Sequence, residues 1–193
     1  MGELILITGG VRCGKSRYAE RLAADIGNDR VVYIATAEAG DDEMKARIAA
    51  HRADRPAMWA TLEAPLDVAS AIVEASGRPE SPRAILVDCL TMLVSNLLLE
   101  REGDDGARVA GQVDAIREAC LQSTATVIVV TNEVGWGVVP ATPLGRRYRD
   151  LLGSANQSLA EAAVKVLLLV AGIAVDYKAL AEATLDPDRR NSP

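Results

Sequence analysis

LILITGGVRCGKS, running from Leu4 to Ser16, is the stretch whose reading decides the architecture. Leu4–Ile7 is an unbroken aliphatic run, the pattern of a strand covered on both faces, where the polar alternation of a half-exposed strand is lost. Gly9, four residues and then Gly14-Lys15-Ser16 follow, leading into a segment of helical spacing, Lys15–Ile26. This is G-x-x-x-x-G-K-[ST] between a strand and a helix, the setting in which the motif forms a phosphate loop. Glycines let the backbone curl until successive N–H groups point inward at phosphate oxygens, and the start of the helix adds its positive dipole. Lys15 is predicted to reach the β- and γ-phosphates of a purine nucleoside triphosphate, and Ser16 to ligate Mg²⁺ through its hydroxyl. A carboxylate ending a neighbouring strand should complete the cation site. Asp88, which closes ILVD, is the candidate, and its other reading is the N-cap of the helix that follows. The loop reads phosphates and not bases, so ATP and GTP both stay open as donors.

Outward from the loop, short apolar runs recur at Val31–Ile34, Ala84–Val87, Thr126–Val130 and Val164–Val170, and they too read as buried parallel strands. Between them, Asp41–Ala53, Leu66–Ala75, Leu90–Glu100, Ala107–Gln122 and Pro143–Ala163 carry helical spacing. The alternation predicts an α/β fold, a mostly parallel sheet flanked by helices. Gly77–Arg83 and Arg101–Gly106 read as surface loops, residues 1–185 as a single domain and Asp186–Pro193 as a frayed tail. In 193 residues, 49% hydrophobic content is ample for one continuous core. A net charge of −6 argues against a nucleic-acid surface, which needs clustered basic residues, and points to small-molecule partners. Three cysteines without metal-ligand spacing imply neither a disulfide framework nor a zinc site and suit a reducing cytoplasm. The first strand is too short for a signal segment, and no run of about 18 apolar residues exists to span a membrane.

The only histidine, His51, lies near the end of DDEMKARIAAHRADRP, where Arg47, His51 and Arg55 share one helical ridge. Flanking guanidinium groups disfavour imidazolium and so favour the neutral, nucleophilic ring, with arginines at hand to hold the oxygens of a phosphorus centre. From spacing alone, a packing or solvated histidine is the competing reading. TNEVGWGVVP, residues 131–140, puts Asn132 and Glu133 at the carboxyl edge of the sheet. It is open between a substrate loop and an ordinary turn with Trp136 packed as a lid. Glu63, closing WATLE, is placed to bond a ribose or base edge or simply to be solvated. Arg146, Arg147 and Arg149 are open between an anion site and an exposed face.

The ordered set GGVRCGKS, YIATA, DDEMKARIAAHRADRP, WATLE, LVDCLTMLVSNLL, TNEVGWGVVP and RRYRDLLGSANQSLA resembles the bifunctional adenosylcobinamide kinase and adenosylcobinamide-phosphate guanylyltransferase family of cobalamin biosynthesis, over about Leu4 to Val175. The resemblance implies two successive transfers. A nucleoside triphosphate phosphorylates the aminopropanol hydroxyl of adenosylcobinamide, and GTP then gives GMP to that phosphate through a covalent GMP–histidine, yielding adenosylcobinamide-GDP and pyrophosphate. It places His51 as the nucleophile. It implies that Gly9, Gly10, Val11, Arg12, Cys13, Gly14, Lys15 and Ser16 hold the phosphates. Ala35, Thr36, Ala37, Arg52, Ala53, Asp54 and Arg55 then line the nucleotide, and Glu63 and Asp88 contact nucleotide or metal. A ring-like homotrimer and a P-loop core of the recombinase-like type are further implications. Cys13 stands where many members have serine, at a position where the backbone meets phosphate, and Trp136 fills a variable place in its run. Two rival readings remain: a kinase whose histidine is structural, and a nucleotide switch that transfers nothing.

Overall fold

The computed structural model describes residues 2–38, 42, 45, 55–100 and 106–185. Among them seven strands form, β1 (Leu4–Gly9), β2 (Val31–Ala35), β3 (Ala60–Glu63), β4 (Ala84–Asp88), β5 (Thr126–Val130), β6 (Lys165–Val170) and β7 (Ile173–Asp176). Six helices accompany them: α1 (Lys15–Gly27), α2 (Val68–Ser76), α3 (Leu90–Glu100), α4 (Ala107–Gln122), α5 (Pro143–Ala162) and α6 (Tyr177–Leu185). The strands make one sheet in the order β3-β2-β4-β5-β1-β6-β7, parallel throughout except for the antiparallel β6–β7 pair.

Both faces of the central strands are covered, which is why their sequences read as continuous apolar runs. Alternation within β1 shows the division: Leu4 and Leu6 join the core beneath α2, α3, α4 and α5, while Ile5 and Ile7 pack on the other side against Ala19 and Ala23 of α1. Helix starts follow local chemistry. Asp67 caps α2 by accepting the Ser70 N–H at 3.1 Å, and hydrogen bonding from Ser70 holds its carboxyl below the usual range. A depressed carboxylate contributes stability at neutral pH and loses it as pH falls through its folded value. Thr142 caps α5, with Pro143 in the first turn where its missing N–H costs nothing.

Two expectations change. Val164–Val170 was expected to be buried on both faces, but β6 buries only Leu167 and Leu169, and Val170 is exposed. The reason is position: β6 lies next to the edge strand β7, and on the α2–α5 side it contributes only the half-buried Val166. The carboxylate was expected on a strand neighbouring the phosphate loop, yet β5 lies between β1 and β4, so Asp88 stands one strand further away. The helix expected over Asp41–Ala53 lies outside the described residues except for Asp42 and Lys45, which are helical. The Arg101–Gly106 loop, apart from Gly106, and the Asp186–Pro193 tail also lie outside them. No helix among the described residues is long and apolar enough to cross a membrane.

Gly9 ends β1 at φ 147°. A Cβ there would collide with the carbonyl oxygen of Leu169 on β6 and press on Cys13 Sγ. Gly9→Ala is therefore expected to cost about 2–4 kcal/mol, read as a shift of the urea midpoint without a change of slope. A midpoint equal to that of the parent would show that the strand end yields freely.

Candidate functional site

The carboxyl ends of β1, β2, β4 and β5 open into a cleft of about 490 Å³. Its floor is the phosphate loop. Arg12 and Gly14 take positive φ of 57° and 98°, which turns the chain back over itself. The Gly172 N–H donates to the Cys13 carbonyl at 2.9 Å, so the β6–β7 turn buttresses the loop from behind. Gly14 precedes α1 and offers no side-chain cap, which leaves the N–H groups of the first helical turn for a bound anion. Lys15 is only 8% exposed and folds back to donate to the Gly10 carbonyl at 2.7 Å, with Cys13 Sγ 3.8 Å from its ammonium.

The second wall comes from β2 and β4. Thr36 is fully buried and closes on Cys89 twice, its hydroxyl accepting the Cys89 N–H and donating to the Cys89 carbonyl, each at 2.7 Å. From α3, Asn96 donates to the carbonyls of Thr36 (2.8 Å) and Pro65 (3.0 Å), tying the segments just after β2 and β3 to the helix layer. Beside this seam the Tyr33 hydroxyl donates to Asp88 Oδ2 at 2.9 Å, and the Arg55 guanidinium lies over the Tyr33 ring, 3.3 Å from its centroid. Burial, and after it the Asp88 charge, raise the Tyr33 phenol far above its ordinary range, so it stays a donor at every working pH.

The third wall is the end of β5. Glu133 accepts at Oε1 from the Thr8 hydroxyl (3.1 Å) and the Asn156 amide (3.3 Å), while its N–H donates to the Gly9 carbonyl (3.2 Å). Asn156, almost wholly buried in α5, also donates to the Asn132 carbonyl (3.0 Å) and accepts from the Thr131 hydroxyl (2.7 Å). The start of TNEVGWGVVP is thus pinned against the phosphate loop. Trp136 beyond it is 73% exposed, so it does not pack down as a lid in this conformation. Arg146 is spent on the carbonyls of Pro140 and Ala141, and Arg149 pairs with Asp150.

Of the residues singled out from the sequence, Val11, Arg12, Cys13, Gly14, Lys15, Ser16, Ala35, Ala37, Arg55, Glu63 and Asp88 line this one cleft. Gly9 and Thr36 are buried beside it, and Gly10 is exposed, outside its lining, with its carbonyl holding the Lys15 ammonium. His51, Arg52, Ala53 and Asp54 lie outside the described residues. Sequence reasoning passed over Tyr33, Thr91 and Met92, which share the lining. Inside VVYIA a tyrosine reads as one more strand residue, and only its polar tip hinted at a role.

The donor set suits a magnesium ion that arrives with its phosphates. Ser16 and Asp88 both face the cleft with hard oxygen donors. No group of three or more His, Cys, Asp or Glu among the described residues would hold a metal unaided. Cys89, whose thiol is pushed up to about 12 by burial first and the Asp88 charge second, is no thiolate at neutral pH. Burial likewise lifts Cys120 to about 12. Iodoacetamide at pH 8 should therefore modify the half-buried Cys13 and leave Cys89 and Cys120 intact in the native protein, as peptide mass mapping would show. Labelling of Cys89 at the rate of Cys13 would contradict this ordering.

A family model described as cobinamide kinase / cobinamide phosphate guanyltransferase matches residues 5–177. The chain is 49% identical over 173 residues to the bifunctional adenosylcobalamin biosynthesis protein CobP of Pseudomonas aeruginosa, covering 90% of this chain and 96% of that protein. It is 42% identical over 187 residues to the bifunctional adenosylcobalamin biosynthesis protein CobU of Salmonella typhimurium, covering 91% and 99%. Among solved structures, the ATPase domain of G40P superposes with a TM-score of 0.52 at 14% identity, covering 86% of this chain and 68% of that one. That likeness concerns the fold alone.

Proposed function

Because the chain belongs to the cobinamide kinase / cobinamide phosphate guanyltransferase family, we propose that it catalyses both transfers in turn, with adenosylcobinamide as first acceptor. In the kinase step the aminopropanol hydroxyl attacks the γ-phosphorus of ATP or GTP. The new O–P bond forms as the bond to the departing nucleoside diphosphate breaks, and the hydroxyl proton is lost to solvent. In the guanylyl step neutral His51 attacks the α-phosphorus of GTP and pyrophosphate leaves. An oxygen of adenosylcobinamide phosphate then displaces the histidine, giving adenosylcobinamide-GDP and restoring the imidazole. Lys15 and the loop N–H groups hold the phosphates and neutralise charge that grows on the leaving oxygens. Ser16 and Asp88 would hold Mg²⁺, which when bound supplies charge neutralisation on the phosphate chain. Arg52 to Arg55, Ala35 to Ala37 and Glu63 would surround the nucleotide.

The observation that carries this reading is convergence. Residues from four separate stretches of the family-matched segment, the phosphate loop, Arg55, Glu63 and Asp88, meet on one cleft. A single sheet running through β1 to β7 supports one transferase domain over residues 1–185, with 186–193 as its tail. A cytoplasmic homotrimer acting on small molecules, with no nucleic-acid partner, completes the proposal.

The test is to incubate the protein with Mg²⁺ and GTP labelled at the α-phosphate, without corrinoid. Acid-labile, base-stable label on the chain is expected, the signature of a phosphoramidate. No label on protein that demonstrably binds GTP, together with phosphate transfer to cobinamide, would replace this reading by that of a kinase alone.

A further inference from the structure

Tyr33 joins two of the groups expected to meet the nucleotide. Its residue is 2% exposed, and its ring packs in the α1-side core with Ala19, Ala23 and Trp59 while its hydroxyl reaches the cleft wall. There it donates to Asp88 Oδ2 at 2.9 Å, leaving Oδ1 for a cation or its water shell. On the ring lies the Arg55 guanidinium, 3.3 Å from the centroid, with Nε and Nη1 buried and without hydrogen-bond partners among the described residues. Buried N–H groups of a cation are costly until an acceptor arrives. A stacked guanidinium keeps its N–H groups in its own plane, so stacking and hydrogen bonding do not compete. A tyrosine that merely filled the core would have no need to engage both groups.

We propose that Tyr33 is a positioning residue for nucleotide and Mg²⁺ binding: its hydroxyl aims the Asp88 carboxylate, and its ring holds Arg55 so that Nε and Nη1 donate to an oxygen of the nucleotide. This rests on the transferase reading above and adds to it a residue acting through two others.

The experiment is equilibrium binding of GDP by calorimetry, in EDTA and again in excess Mg²⁺, on the full chain. Tyr33→Phe keeps the ring and removes only the hydroxyl. Its affinity in EDTA should stay within about twofold of the parent, while the gain that Mg²⁺ brings should shrink about fivefold. Arg55→Ala should lower affinity about tenfold in both buffers, and Tyr33→Leu should match it in EDTA because the guanidinium loses its support. A Tyr33→Phe protein with the full Mg²⁺ gain of the parent overturns the proposal, and so does a parallel loss in both buffers accompanied by a lowered melting temperature, which is what a purely structural tyrosine would give. If Tyr33→Leu does not fold, Tyr33→Phe still decides. Parent protein that binds GDP yet never takes up GMP label would defeat the guanylyl step alone and leave this proposal, which concerns nucleotide and Mg²⁺ binding, standing. A labelled parent with an unchanged Tyr33→Phe would defeat this proposal alone.

Discussion

Replacing His51 by alanine is expected to abolish the GMP–protein adduct and to lower guanylyl transfer by about 10⁴-fold or more, the scale on which loss of a nucleophile acts. Phosphorylation of adenosylcobinamide should stay within about threefold of the parent, because a direct in-line attack on the γ-phosphorus has no use for the imidazole. Arg47 precedes His51 by four residues on the predicted helix, and a cation beside an imidazole favours its neutral form, which alone carries the lone pair that attacks phosphorus. Arg55 stands in a bend over the Tyr33 ring and does not continue that ridge. In the proposed step Arg55, which lines the cleft, would stabilise the negative charge that accumulates as pyrophosphate departs. Product analysis by chromatography, with both reactions assayed on one preparation, checks the split. If neither reaction falls, His51 is not the nucleophile and the adduct, if present, sits elsewhere. If both fall with the melting temperature, the variant reports on folding and His51→Gln should be assayed in its place.

Lys15→Ala should lose both activities together, each by roughly 10²–10⁴-fold in kcat/KM, the range for removing a fixed charge from a developing oxyanion. Lys15 is the one lysine buried in the cleft floor, and its ammonium now rests on the Gly10 carbonyl at 2.7 Å. That bond holds the side chain folded along the loop, so in the proposed complex its charge and the loop N–H groups would act on the same phosphate oxygens. Stability should hardly fall, since the change removes a buried ammonium and leaves the carbonyl of the exposed Gly10 to water, and the melting temperature serves as the control. A Lys15→Ala enzyme that kept guanylyl transfer while losing the kinase step would mean that GTP uses a second phosphate site. Set beside His51→Ala, the result separates a residue serving every nucleotide from one serving a single step.

Much of this was legible in the chain itself. The phosphate loop announces itself because its chemistry is local: Gly9, Gly14, Lys15 and Ser16 act through backbone curl and one helix start, all within a few residues. α3, α4 and β5 have the bounds that their periodicity predicted, since each buries a stripe or a whole strand whose spacing shows directly in the sequence. β7 and α6 were not foreseen. The hairpin before β7 turns through Ala171 and Gly172, both at positive φ (52° and 83°), and alanine in that conformation is no turn signal. The alternation of β7 spans only four residues and carries little weight by itself.

What the sequence by itself determined is the α/β alternation, the phosphate loop and the ordered motifs that mark the family, because each is written in residues near one another along the chain. Only the tertiary structure decided which distant side chains meet. Tyr33 and Asp88 lie 55 positions apart and come into contact because β2 and β4 pair in register, Ala35 opposite Asp88. β5 was threaded between β1 and β4, placing the carboxylate one strand away from the loop. Glu133 was turned toward Thr8 and Asn156 in the same way. Such pairings depend on strand order and register, and these follow from how the whole apolar surface is buried, a sum over the chain that no short window contains.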